Sequence, residues 1–273
     1  MNKHDPAQML TQLTFGLLSA IIIVNVTIGG LWLLIRIFQK GFNFSQDGPG
    51  NRLVYHLQGC NLRCPWCSNP EGLALEGGTP CSISDLVAEV QRSRMMFFDG
   101  GGVTLTGGEV TLQFPAVKEF LTQLHQQGVS TCIETNGLSP QLPELFPVLD
   151  LLIMDIKHYD PRKHKEVTGL SNELTVRNIE KALDAGQELA LRIPLIGGFN
   201  DSPEDARGFA ELFQRLQLGH RATVELLTYH EYGKEKWEKC GLEYTVKDAF
   251  IKAERLKEIR QKFLNSDIKT IRT

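Results

Sequence analysis

Three cysteines within eight residues, Cys60, Cys64 and Cys67 in GCNLRCPWCSNPEG, constrain this chain more than any other feature. Six cysteines in all are too few and too unevenly placed for a disulfide scaffold, so the C-x3-C-x2-C triplet points to metal or redox chemistry in a reducing compartment. A 4Fe–4S cube presents four irons, normally one thiolate each. Three close thiolates would hold three of them and leave one iron open to a small molecule, as catalytic zinc sites keep an open position. The competing reading is a zinc ion with a distant fourth ligand, His56 or Cys81. Zinc sites more often pair two C-x2-C units, and no second pair occurs here.

The chain has 273 residues and a formal net charge of −3. That length suits one large α/β domain or two small ones, and the near-neutral balance excludes the basic excess expected of a nucleic-acid binder. Phe15 to Ile35 carries no charged residue and is long enough to span a bilayer as a helix. Arg36 and Lys40 follow it, while Lys3 and Asp5 offset each other before it. A positive-inside reading anchors the chain to the inner membrane with the remainder in the cytoplasm. Two plainer readings stand beside the anchor: a buried helix, or an extension from a misplaced start codon. A cleaved signal peptide fits less well, since no small-residue cleavage site ends the run. The chain thus divides into a hydrophobic extension, 1–35, and a second domain, 36–273.

Beyond Gly41 short β-type runs alternate with amphipathic stretches. Strands are expected at Arg52–Leu57, Val103–Leu105, Ser130–Glu134, Leu151–Ile156, Glu188–Pro194 and Thr223–Leu227. Helices are expected at Ile83–Arg94 with Ser82 or Ser84 as cap, Phe114–Gln127, Leu174–Ala185, Pro203–Leu216 and Asp248–Phe263. This alternation predicts a parallel sheet, closed or half-closed into a barrel, with its site at the C-terminal strand ends. Cys60, Gly107–Glu109, Glu134–Gly137, Asp155–Lys157, Arg192 and His230 all collect at those ends.

Around the cysteines further motifs occur in order: DGPGNR (Asp47–Arg52), GGGVTLTGGE (Gly100–Glu109), ETNG (Glu134–Gly137), MDIK (Met154–Lys157) and ELLTYHEYGKEKW (Glu225–Trp237). Together they resemble the radical S-adenosylmethionine superfamily, and within it the activating proteins of glycyl-radical enzymes. The resemblance runs from about Ile35 to the C-terminus. It implies a partial (β/α)6 TIM-like barrel, here preceded by an N-terminal hydrophobic helix, and an enzyme that uses one 4Fe–4S cluster and S-adenosylmethionine to install a glycyl radical on a partner.

In that family Cys60, Cys64 and Cys67 would ligate three irons, and the amino and carboxylate groups of S-adenosylmethionine would chelate the fourth. Trp66 and Ser68, flanking Cys67, would contact the adenine. Gly107 and Gly108 would let the backbone approach the methionyl amine, with Glu109 positioning that turn or accepting from the same amine. Glu134, Asp155, Ile156 and Lys157 complete the implied cofactor set, and Asp155 and Lys157 share one side of a strand. His230 would touch the cofactor at the sixth strand end. Arg192 is open between a cofactor carboxylate and an internal pair with Asp155 or Glu225. Three departures stand out. Glu134 replaces the usual Asp, putting the family's small cation site in question, and Val110 replaces the usual Pro. Leu73–Asp99 holds only Cys81, so no ferredoxin-like insert is expected and a single cluster follows.

The implied partners are a glycyl-radical enzyme and a flavodoxin-like electron donor. The rival readings are a radical enzyme acting on a small molecule and a membrane-anchored iron–sulfur redox sensor without catalytic activity. Cys81, Cys132 and Cys240 read as small buried hydrophobes, Met95–Phe98 as core packing, and DIKHYDPRKHKE, with His158 and His164, as a solvated loop or equally a surface that touches the partner protein.

Overall fold

A computed structural model of the chain describes residues 33–271. The hydrophobic helix expected over Phe15–Ile35 therefore lies outside the described residues, apart from its last three. Of these, Leu34 and Ile35 open a strand, two residues inside the segment assigned to the extension. Among the described residues no helix is long and apolar enough to cross a membrane.

The sheet has nine strands in the order β3-β1-β2-β4-β5-β6-β7-β8-β9. Its centre is β2 (Asn51–Leu57), β4 (Gly102–Gly107), β5 (Ser130–Thr135), β6 (Leu151–Asp155), β7 (Leu189–Leu195) and β8 (Thr223–Thr228). These six pair in parallel, each beside the next in sequence, and the two-residue β9 (Thr270–Ile271) extends the far edge. On the near edge β1 (Leu34–Phe44) runs antiparallel to β2 and to β3 (Thr79–Ser82). The six parallel strands match the expected runs to within a residue or two. β1 was not expected: only Ile35 and Ile37 of its eleven residues face the core, so it lacks a long alternation.

Helices α1 (Ile83–Ser93), α2 (Phe114–Gln126), α4 (Glu173–Asp184), α5 (Pro203–Arg215) and α7 (Ala253–Leu264) occupy the expected stretches. Their boundaries follow local chemistry. Ser82 caps α1 by accepting from the Asp85 amide, and Ser202 with Asp205 forms a capping box on α5. Phe120, Leu121 and Leu124 of α2 and Phe209 and Phe213 of α5 are fully buried in the main core with strand residues such as Tyr55, Leu105, Met154 and Leu191. Burial of each large side chain contributes roughly 1.5–3 kcal/mol. α6 (Lys234–Lys239) is a short helix after β8.

Two expectations are corrected. DIKHYDPRKHKE is not a solvated loop: it contains helix α3 (Pro161–Thr168), and both of its histidines are buried. Its signals were present, with Asp160 accepting from the amides of Arg162 and Lys163, Pro161 in the first turn and Gly169 left-handed after the end. Met95–Phe98 is not core. Met95 is 93% exposed, and Met96 and Phe98 are exposed, while only Phe97 packs against the core. That turn serves the fold through its backbone, because the Phe98 carbonyl accepts from the Asn51 amide. Of the lone cysteines, Cys132 is buried, Cys81 is half-buried on β3 and Cys240 is exposed.

Candidate active site

The C-terminal ends of the six parallel strands surround one cavity. The loop after β2 brings Cys60, Cys64, Trp66, Cys67 and Ser68 to it, β4 brings Thr106, Gly107 and Gly108, and β5 brings Glu134, Thr135 and Asn136. Asp155 and Lys157 come from the end of β6, and His230 from the end of β8. Eleven of the fourteen residues singled out in the sequence line this cavity; Glu109, Ile156 and Arg192 do not.

The three thiols are sheltered. Burial pushes Cys60 up to about 11 and Cys64 up to about 12, and raises Cys67 as well. Such thiols stay protonated until a metal charge replaces the proton. The Asn69 amide already points at the Cys67 Sγ, 3.4 Å away. All three line one cavity. The proposed fourth zinc ligands are elsewhere: Cys81 pairs with Ile35 at the sheet edge, and the His56 ring lies tilted against Phe38 without lining the cavity. The cradle beside the thiols must be glycine. A Cβ on Gly108 would collide with the Gly59 carbonyl, and one on Gly107, at φ +106°, would lie 2.6 Å from the His56 Cα.

Asp155 and Lys157 meet at 2.7 Å on one side of the β6 end. Burial works against the Lys157 ammonium, but Asp155 and the nearby thiols outweigh it and raise the group above the ordinary lysine value. Ile156, between them, faces the core, and its amide donates to the Arg192 carbonyl. Glu109 lies beneath the cavity. Its carboxylate accepts from the Thr111 amide and hydroxyl, the Thr135 hydroxyl at 2.7 Å and the Asn136 amide at 2.9 Å.

Glu134 accepts from the Thr106 hydroxyl at 2.7 Å and pairs with Arg192. Burial pushes its carboxyl up to about 7, with Arg192 opposing that rise. Arg192 also pairs with Glu225 and donates to the Gln46 carbonyl, which ties β5, β7 and β8 together. The Trp66 ring packs on Phe199 at 5.0 Å, and the His230 ring stacks on Tyr232 at 4.2 Å. Burial lowers the His230 imidazole.

Sequence reasoning passed over Thr106 and gave Asn136 no role beyond its place among Glu134–Gly137. Asn136 lies inside the ETNG motif and donates to Asn61 in the cysteine loop, 2.7 Å away, so its place in the motif was the available signal. Ile196 and Leu227 also line the cavity, and as apolar residues at strand ends they carried no signal.

Residues 54–210 match the Radical SAM superfamily. The chain is also 35% identical over 203 residues, 72% of its own length and 82% of the relative, to pyruvate formate-lyase 1-activating enzyme of Escherichia coli (strain K12). The chain belongs to the radical SAM superfamily, among its glycyl-radical-enzyme activating proteins. It is 30% identical to choline trimethylamine-lyase activating enzyme of Oleidesulfovibrio alaskensis, over 73% of this chain and 85% of that one. A solved domain of pyruvate-formate lyase-activating enzyme from Bacteroides vulgatus shares the fold, with a TM-score of 0.52 at 23% identity over 63% of this chain and 99% of that domain. As a radical SAM enzyme the chain uses a 4Fe–4S cluster and S-adenosylmethionine.

Proposed function

We propose that the cavity at the strand ends is where this activating enzyme assembles its cluster and cofactor and admits a glycine of its partner. The observation that carries this is the convergence of the three buried thiols, the Gly107–Gly108 cradle and the Asp155–Lys157 pair on one cavity.

Cys60, Cys64 and Cys67 would hold the 4Fe–4S cluster through their thiolates, and S-adenosylmethionine would bind it through the methionyl amine and carboxylate. When bound, the cluster and cofactor supply the hard chemistry: one electron cleaves the sulfonium bond, giving methionine and a 5′-deoxyadenosyl radical. The chain's residues orient and shelter. Gly107 and Gly108 present bare backbone to the amine. Lys157, kept charged by Asp155, offers the cation a carboxylate needs, and Asp155 an acceptor for ribose hydroxyls. Trp66 and Ser68 receive the adenine, and His230 closes the β8 side. Glu109 holds the glycine turn against the ETNG turn, and Ile156 and Arg192 support from below. Hydrogen abstraction from a glycine Cα needs no general base, which agrees with a cavity whose charged groups are mostly paired.

The six parallel strands are read as the family's partial barrel, open enough at the rim to take a peptide segment. A small low-potential carrier of the flavodoxin class supplies the electron. The residues before β1 are read as an extension to the catalytic domain, with the apolar run that begins at Phe15 its membrane anchor; fractionation of the full chain tests the anchor. The proposed site is tested by anaerobic reconstitution: reduced protein should release 5′-deoxyadenosine and methionine in equal amounts, and Cys60→Ala, Cys64→Ala or Cys67→Ala should each abolish both.

A further inference from the structure

The segment after β8 does two things at once. His230 faces the cavity, and a few residues later the chain folds over the back of the cysteine loop. Gly233 packs so closely there that a Cβ would lie 2.5 Å from the Cys67 carbonyl oxygen. The Trp237 indole N–H donates to that same oxygen at 2.8 Å. Lys236 secures the contact from the side, donating to Asn69 at 3.2 Å and pairing with Glu71 at 3.3 Å. The indole is braced in turn, edge-on to Tyr244 at 5.8 Å, whose hydroxyl meets that of Tyr229 at 2.9 Å.

We propose that Trp237 is a positioning residue for the reductive step: by holding the Cys67 carbonyl it fixes the third thiolate and makes the cluster easier to reduce. This rests on the reading of Cys67 as a cluster ligand. The reduction concerned is uptake of one electron from a low-potential one-electron donor, taking the cluster from its 2+ to its 1+ state, with no bond made or broken. Added negative charge is stabilised by donors that neutralise nearby dipoles, and such outer hydrogen bonds tune iron–sulfur potentials. Without the indole N–H the Cys67 carbonyl, on the ligand residue itself, loses that donor and its negative end stands uncompensated. The same tryptophan lies seven residues from His230, so one segment sets both the cofactor side and the cluster side of the site.

The test is a redox titration of the reconstituted holoenzyme and its Trp237→Phe variant, followed by the electron paramagnetic resonance signal of the reduced cluster. With iron content unchanged, the ratio of reduced to oxidised cluster at a fixed potential should fall about five-fold, the worth of one ordinary hydrogen bond. Trp237→His, which keeps a ring N–H, should remain near wild type. An unchanged ratio in Trp237→Phe, or equal losses in both variants, overturns the proposal. If Trp237→Phe cannot hold iron, a Trp237→His protein that does supports it, and one that does not overturns it. Full iron retention in Cys67→Ala would instead remove the ligand reading on which the proposal rests, whatever the titration gives.

Discussion

The Glu109 carboxylate accepts from the Thr135 hydroxyl at 2.7 Å and so ties the glycine turn after β4 to the ETNG turn after β5. The same carboxylate is fully buried and takes three further donors. Glu109→Ala leaves all four without a partner. It should destabilise the protein by about 3 kcal/mol, with Glu109→Gln costing less. Denaturant unfolding of the two variants against wild type measures this.

Lys157→Ala should keep the full iron content yet weaken S-adenosylmethionine binding by about ten-fold or more, the scale of a lost charge-assisted hydrogen bond. His230→Ala should keep the cluster and weaken binding by a smaller factor. Because Asp155 and the thiols hold the Lys157 charge above the usual lysine range, its contribution should stay level from neutral to mildly alkaline pH. Equilibrium binding to the reconstituted variants checks all three; wild-type affinity in either variant removes that residue from the cofactor set.

Legibility differed by the kind of signal. The six parallel strands, and the convergence of their end motifs on one cavity, could be read because each strand is a short apolar run ending in a polar motif. β1 was missed because only Ile35 and Ile37 are buried while Leu34, Phe42 and Phe44 are exposed, so no apolar alternation marks it. Met95–Phe98 misled because hydropathy reports side chains, whereas that turn is fixed by backbone contacts to Asn51. Arg192 was left open between a ligand and a pair with Asp155 or Glu225; its partners are Glu225 and, unforeseen, Glu134, because that choice depends on how β5, β7 and β8 lie across the sheet. α3 was legible from its Asp-Pro start and Gly end, and its charge density hid it.

His164 is buried against the Leu170 carbonyl, and burial lowers its imidazole to about 4. A group depressed below its unfolded value near 6.5 favours the fold while neutral. Its contribution is complete above pH 6.5 and is lost as pH falls toward 4, by about 2 kcal/mol. Glu134, raised to about 7, acts in the opposite sense over an overlapping range. The difference between wild type and His164→Gln therefore isolates the histidine: their unfolding free energies should converge between pH 7.5 and pH 5. A gap that stays constant contradicts this.

Removal of the chain before residue 33 should leave folding and iron uptake intact, whereas removal through residue 37 takes away the buried Ile35 and Ile37 and the start of β1. The longer deletion should lose roughly 3–6 kcal/mol and much of its soluble yield. Thermal unfolding of the two truncated proteins separates the cases.

The account stands or falls on the target of the radical. Reduced, reconstituted protein mixed with S-adenosylmethionine and a glycyl-radical enzyme from the same genome should yield a glycine-centred doublet in electron paramagnetic resonance, absent when Cys60, Cys64 or Cys67 is replaced by alanine. Cofactor cleavage without that doublet, accompanied by efficient turnover of a small metabolite, would contradict it.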